Sequence, residues 1–247
     1  MKAAADAIRS WANAGLALIY PEVCQICQEH RAPIEDGLVC VSCRSQVQFI
    51  QPPFCDRCGL PFQGAITTTF ECTNCRELDL HFTSARSAVV LKTVVSEAMH
   101  AYKYHRAMWF ERFLAGLLLQ KAIPTLRQQT WDVIVPVPLH ATKLREREFN
   151  QAARLAKHLG KAINLPVNER ILQRVTVTQT QTKLSRADRA KNVRGAFAVR
   201  KDIRLDSKKI IVFDDMFTTG ATTSDCARAL RNAGAAEVCV WTVARGL

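Results

Sequence analysis

The residue types best suited to chemistry crowd into one stretch, Lys208 to Thr223 (Lys-Lys-Ile-Ile-Val-Phe-Asp-Asp-Met-Phe-Thr-Thr-Gly-Ala-Thr-Thr). Adjacent carboxylates, Asp214 and Asp215, are followed by a loop of small hydroxyl residues around one glycine, Thr218-Thr219-Gly220-Ala221-Thr222. Such a loop ahead of a helix N-terminus offers N–H groups, hydroxyls and a positive dipole end to a phosphate. Two acids beside a phosphate would repel it, so they must serve another part of the ligand. Vicinal ribose hydroxyls, which are donors, suit them. Because Lys209 is the nearest basic residue in sequence, the acids are expected to repel each other and to serve binding rather than stability. The bland alternative is a strand–turn–helix with a polar stop. No Gly-x-x-x-x-Gly-Lys occurs, which excludes a P-loop.

These side chains need a frame. Ile210 to Phe213 is a continuous apolar, largely β-branched run, expected to form a strand buried on both faces of a parallel sheet. In such sheets ligands bind beyond the carboxyl ends of the strands. Thr222, Thr223 or Ser224 is expected to N-cap a helix reaching about Arg231. Val133 to Pro136 reads as a second buried strand, stopped by prolines. A strand is expected over 85–91, helices near 94–104 and 107–122, and a last strand over 238–243 after Ala233-Gly234 closes a helix.

A second chemistry sits upstream. Ten cysteines are present, and eight form four Cys-x-x-Cys pairs: Cys24/Cys27, Cys40/Cys43, Cys55/Cys58 and Cys72/Cys75. The loops within each half hold 12 and 13 residues. Two thiolates from one knuckle supply half of a tetrahedral site and a short hairpin returns the other half, so each half is expected to hold one zinc ion. Cys58-Gly59 supplies a glycine turn. Cross-braced pairing, an iron–sulfur cluster or redox dithiols remain alternatives. So few apolar residues hardly make a core, so metal should supply the folding free energy. Replacing Cys58 is then expected to unfold the ribbon and spare the remainder. Cys226 and Cys239 read as buried core thiols.

The 247 residues carry a formal net charge of +12, unevenly spread. Residues 1–80 hold 6 basic and 9 acidic side chains, and residues 81–247 hold 28 and 13. The basic surplus therefore accompanies the phosphate motif and suits a polyanion, nucleic acid first. Residues 6–19 suggest an amphipathic helix ended by Pro21, packing on its neighbour. The apolar segment 8–20 is too short to span a bilayer, and no signal peptide is read, so no membrane span and a reducing cytoplasm are expected. Tyr102-Lys103-Tyr104-His105-Arg106 offers stacking rings and cations to bases and phosphates, or simply two aromatics packed at a helix end.

The stretch from Ile210 to Thr222 resembles the 5-phosphoribosyl diphosphate (PRPP) motif of type I phosphoribosyltransferases: apolar strand, Asp-Asp, two variable residues, Thr-Thr-Gly-x-Thr. The resemblance implies that Asp214 and Asp215 hold the ribose hydroxyls, that Thr218, Thr219, Gly220, Ala221 and Thr222 hold the 5′-phosphate, and that Mg accompanies PRPP. Leu139-His140 resembles that family's pyrophosphate loop. More narrowly, Val-Pro-Val-Pro-Leu-His followed by Arg145-x-Arg147-x-Phe149-Asn150-Gln151 resembles the ComF family of competence-associated proteins. So do Gln179, Gln181, Leu184, Ser185, Arg189, Asn192 and Gly195-Ala196-Phe197, in the place of a mobile hood loop at 167–204. That family commonly has Gly before Phe-Asn-Gln, where this chain has Glu148.

The expected organisation is an N-terminal helix (1–21), a small double zinc ribbon (22–80) and an α/β domain (81–247) with a type I phosphoribosyltransferase-like parallel sheet flanked by helices. The family implies a competence or DNA-utilisation protein handling single-stranded DNA, with PRPP or a related ribose phosphate in the pocket. Candidate DNA contacts are Lys143, Arg145, Arg147, Lys183, Arg186, Arg189, Lys191 and Arg194. An active phosphoribosyltransferase is the second reading, though no general base or acceptor signature is found. A zinc-ribbon adaptor docking a helicase or recombination mediator is the third, and the acidic ribbon half suits it.

Overall fold

The computed structural model describes residues 22–64, 70–77, 79–176 and 194–247. The helix expected over 6–19 and most of the hood, with Lys183, Arg186, Arg189 and Lys191, lie outside the described residues. The ribbon segment contains the short helices α1 (Val41–Arg44) and α2 (Thr73–Glu77). Then follow β1 (Ser84–Val90), α3 (Thr93–Tyr104), α4 (Phe110–Leu126), β2 (Val133–Pro136), α5 (Ala141–Arg147), α6 (Gln151–Ile163), β3 (Leu172–Arg174), β4 (Phe197–Val199), β5 (Lys209–Phe217), α7 (Ala221–Asn232) and β6 (Glu237–Arg245). No helix among the described residues is long and apolar enough to cross a membrane.

Four strands form one parallel sheet in the order β1-β6-β5-β2, as the uninterrupted apolar runs require. Alternate residues of β5 serve opposite faces. Ile211 and Phe213 join the apolar cluster of α3, α4 and α6, and Ile210 and Val212 join that of α7. In α4, Phe110, Phe113, Leu114, Leu117 and Leu118 repeat at helical spacing and are all buried.

The ribbon is sewn onto this sheet. Ile50 N–H donates to the Ala88 carbonyl (3.0 Å), Val90 N–H to Gln48 (2.9 Å) and Ala85 N–H to Arg57 (2.7 Å). Gly59 has φ +67°, and a Cβ there would stand 2.6 Å from the Ala85 carbonyl oxygen, so backbone packs on backbone. Cys24, Cys40 and Cys43 belong to the apolar cluster on one face of the sheet; Cys55, Cys58, Cys72 and Cys75 belong to that on the other. The far edge, β2, is covered by a loop in which Ile134 N–H donates to Pro166 (2.9 Å) and Asn168 N–H to Ile134 (2.9 Å).

The strand carrying the acids is longer than its apolar run. β5 stays paired with β6 through Asp214↔Thr242 and Phe217↔Arg245, whereas β2 stops at Pro136↔Phe213. Val137 N–H makes the last bond across, to Phe213 (2.8 Å), and Pro138 has no N–H to continue. The acids therefore stand inside a strand at a step in the sheet, not beyond its end. Two further departures concern local structure. The expected pyrophosphate loop contains α5, and the antiparallel hairpin β3–β4 was not expected at all.

Candidate functional site

The eight ribbon cysteines gather into two sequential clusters, Cys24/Cys27/Cys40/Cys43 and Cys55/Cys58/Cys72/Cys75, with the sulfurs of each within 4.8 Å of one another. Cys24–Cys43 and Cys27–Cys40 are 3.8 Å apart, and Cys55–Cys75 and Cys58–Cys72 are 3.8 and 3.7 Å apart. A tetrahedron with metal–sulfur arms of about 2.3 Å has edges of about 3.8 Å. Disulfides need about 2.05 Å. N–H groups of Cys40 and Cys72 point at the sulfurs of Cys24 and Cys55 (3.3 Å each), as suits thiolate acceptors. Both donor sets fit zinc, giving a site for two ions per chain.

The second cluster is joined to the acid-bearing strand. Arg245, 4 % exposed, donates to the Cys58 carbonyl and to Cys58 Sγ (3.3 Å). Its guanidinium lies 4.7 Å from the centre of the Phe217 ring. That ring in turn fills the space where a Cβ at Gly220 would fall, 2.6 Å from the ring tip.

Gly220, with φ +81°, is itself the N-cap of α7. None of the three hydroxyls expected to cap does so. Thr223 Oγ1 donates to the Gly220 carbonyl (3.1 Å), and Ser224 Oγ bonds Asp79 and His81 of the ribbon junction. Thr222 faces the cleft. Only glycine adopts this conformation without strain, and it gives α7 no side-chain cap; Thr219 Oγ1 accepts from the Ala221 N–H (3.3 Å).

Thr218 to Thr222, Asp214, Asp215 and Lys103 line a lobe of about 150 Å³. A second lobe of about 240 Å³ shares Lys103, both acids and Thr222, and adds Tyr104, Leu139, Lys143, Arg147, Asn150 and Arg174. Lys103, read from the sequence as a cation for phosphates, turns instead to an acid of the cleft. Its Nζ lies 2.8 Å from Asp215 Oδ2 with both side chains largely buried, and 3.2 Å from Met216 Sδ. Asp215 is thus ion-paired, although the sequence places no basic residue nearer than Lys209. Asp214 accepts from Asp215 N–H (2.9 Å). Burial first, and then the neighbouring Asp215 charge, raise its carboxyl to about 7, against a weaker pull from Lys103 and Arg174.

A proton linkage follows. Ribose hydroxyls and cations both favour the carboxylate form, so a ligand at Asp214 should expel a proton below about pH 7 and none well above it. Affinity should rise with pH through that range and then level off. Calorimetry in buffers of differing ionisation enthalpy checks this; equal heats across buffers at about pH 6 would remove Asp214 from the contact set.

Residues 15–77 match the model of the double zinc ribbon domain family. Competence protein F of Haemophilus influenzae is 30% identical over 227 residues, 90% of this chain and 96% of that protein. The chain belongs to the ComF family. The DNA utilization protein YhgH of Salmonella typhimurium is 30% identical over 233 residues, 93% of this chain and 100% of that one. Among solved structures, a purine phosphoribosyltransferase from Pyrococcus horikoshii aligns over 54% of this chain and 83% of its own, at 13% identity and a TM-score of 0.35.

The ComF pattern gains a physical meaning here. Glu148, where the family commonly has Gly, ends α5 with φ 66°, a left-handed conformation that glycine adopts freely. Its carboxylate points to Arg106 (2.7 Å), with both side chains 61% exposed. It does not line either lobe. In the hood, Gly195 and Phe197 are anchored because Asp225 Oδ1 and Oδ2 accept from their N–H groups (3.0 and 3.2 Å). Asp225, which also pairs with Arg228 (2.5 Å), carries no motif signal for the hood, since these backbone partners lie about thirty residues upstream.

The predicted contacts divide. Leu139, Lys143 and Arg147 line the basic lobe; Arg145 is exposed outside it, and Arg194 is exposed at the boundary of the described residues. His140 does not line it either: Nδ1 caps α5 by accepting from Thr142 N–H (3.3 Å). Tyr102 is fully buried and donates to Glu111 Oε2 (2.8 Å), so it offers no stacking face. Burial alone would raise Glu111, but bonds from His158, Arg154 and Tyr102 prevail and hold it near 2.

Proposed function

We propose that this ComF protein binds PRPP or a related ribose phosphate in the acid-pair cleft and handles single-stranded DNA on the basic surface around it. The observation that carries the reading is the placement of Asp214. It has no salt-bridge partner among the described residues, stands at the step in the sheet, and separates a hydroxyl-lined lobe from a basic one. In this reading the first-turn amides of α7 and Thr218 to Thr222 hold the 5′-phosphate, Asp214 and Asp215 face the ribose hydroxyls, and Leu139 N–H with Lys143 and Arg147 faces the diphosphate. Mg, when bound with PRPP, neutralises diphosphate charge. The names of the relatives, competence and DNA utilization, support the polynucleotide half, as does the net charge of +12.

Titration of zinc-loaded protein with PRPP and Mg should give saturable heat. A single-stranded oligonucleotide should bind with log affinity falling linearly in log salt, by about 0.7 per phosphate contacted. Absence of heat would sink the ribose-phosphate half. Salt-independent oligonucleotide binding would sink the other.

A further inference from the structure

The last turn of α3 sends three consecutive side chains to three destinations. Tyr102 is buried on Glu111, Lys103 reaches Asp215, and Tyr104 stands 56% exposed on the rim of the basic lobe. Tyr104 is nonetheless held. The Arg147 guanidinium lies 4.9 Å from its ring centre, and the His100 ring lies 4.9 Å away at 44°. His105 approaches His100 at 5.3 Å. A tyrosine held by a guanidinium and a tilted imidazole, and still 56% exposed, keeps ring surface for another π-system. Lys143, Arg147 and Arg174 line the same lobe, and burial first, then repulsion from Arg147 and Arg174, depress Lys143. A cluster of like charges that costs stability is the counterpart of a polyanion.

We infer that Tyr104, backed by Arg147, is the platform on which one base of a bound single strand stacks, while Lys143 and Arg147 hold the adjoining phosphates, so that strand and diphosphate compete for the same cations. This rests on the reading above and adds to it a contact residue and an exclusion rule. Bases stack on aromatic rings with little regard to sequence, so the platform fits any strand. The exclusion follows because the lobe, about 240 Å³, offers one set of cations to two polyanions. Ribose 5-phosphate, which lacks the diphosphate, makes no claim on them.

The test uses the zinc-loaded full chain and a single-stranded oligothymidylate carrying 2-aminopurine. Wild-type protein should quench the 2-aminopurine by stacking. Tyr104→Ala should abolish the quenching and weaken binding about 5- to 150-fold, and Tyr104→Phe should retain both. PRPP with Mg should displace the strand, and ribose 5-phosphate should not. Unchanged quenching and affinity in Tyr104→Ala, with loss in Lys143→Ala, would overturn the platform while leaving DNA binding intact. Simultaneous binding of strand and PRPP would overturn the exclusion. Failure of wild type to bind any strand would instead remove the reading beneath it. Because Tyr104 is exposed, the alanine variant keeps the core, and unchanged thermal unfolding verifies this.

Discussion

Replacing Cys58 by serine is expected to cost this protein the order of its sheet as well as a zinc ion. Structural zinc contributes about 10–16 kcal/mol in small Cys-ligated sites, comparable with the whole stability of a typical domain. Had the ribbon hung free, the loss would have stayed local, as its spacing alone suggests. Here Cys58 is 4 % exposed, holds Arg245 through its carbonyl and sulfur, and precedes the glycine that rests on β1. Losing the cluster frees Arg245 from its partner and removes the support of Phe217 under Gly220. We expect Cys58→Ser to bind about one zinc instead of two, and to lose the near-ultraviolet signal of Trp241 on β6 together with ribose-phosphate binding. Retention of that signal at wild-type melting temperature with one zinc bound would show that the sheet stands without the second ribbon.

The adjacent acids should separate cleanly when changed one at a time. Asp214→Asn removes a carboxyl already raised to about 7 by burial and by its neighbour, so folding should be unaffected or improved at pH 8 while ribose-phosphate binding and its proton release disappear. Asp215→Asn leaves Lys103 charged and largely buried without its partner, which typically costs about 3 kcal/mol or more. Changing Lys103→Met as well should recover most of that stability without recovering binding. The double-mutant cycle in denaturant measures the coupling. Equal stabilities for the two single variants would mean that the ion pair contributes nothing. Full ligand affinity in Asp214→Asn would mean that the free carboxylate is not the contact.

Legibility in the sequence followed the range of the interactions. The runs Ile210–Phe213 and Val133–Pro136 announced themselves because burial on both faces of a parallel sheet demands unbroken apolar residues. The cysteine clusters did so because knuckle spacing is local. Gly220 as N-cap was missed although three capping hydroxyls were in view, because Ser224 is engaged by Asp79 and His81 far upstream and Thr223 turns back onto the Gly220 carbonyl. Lys103 meets Asp215 across 112 positions, and no spacing rule spans that distance. The hairpin β3–β4 has three residues per strand and a mixed pattern, too short for periodicity to register. Glu148 was noticed as a chemical departure from its family, whereas its significance is a backbone angle.

The order in which the chain leaves the ribosome suits the way its sheet is closed. β1 would be an open edge, and unpaired edges recruit other chains. Its outer side is covered by residues 48–50 and 57, which are synthesised first and are held by the cysteine clusters. A ribbon charged with metal is thus already waiting when β1 emerges, and acts as a template for it. In a zinc-starved cell the template is absent, the edge stays bare through the synthesis of every later strand, and the expected fate of the nascent protein is aggregation rather than a soluble apoprotein.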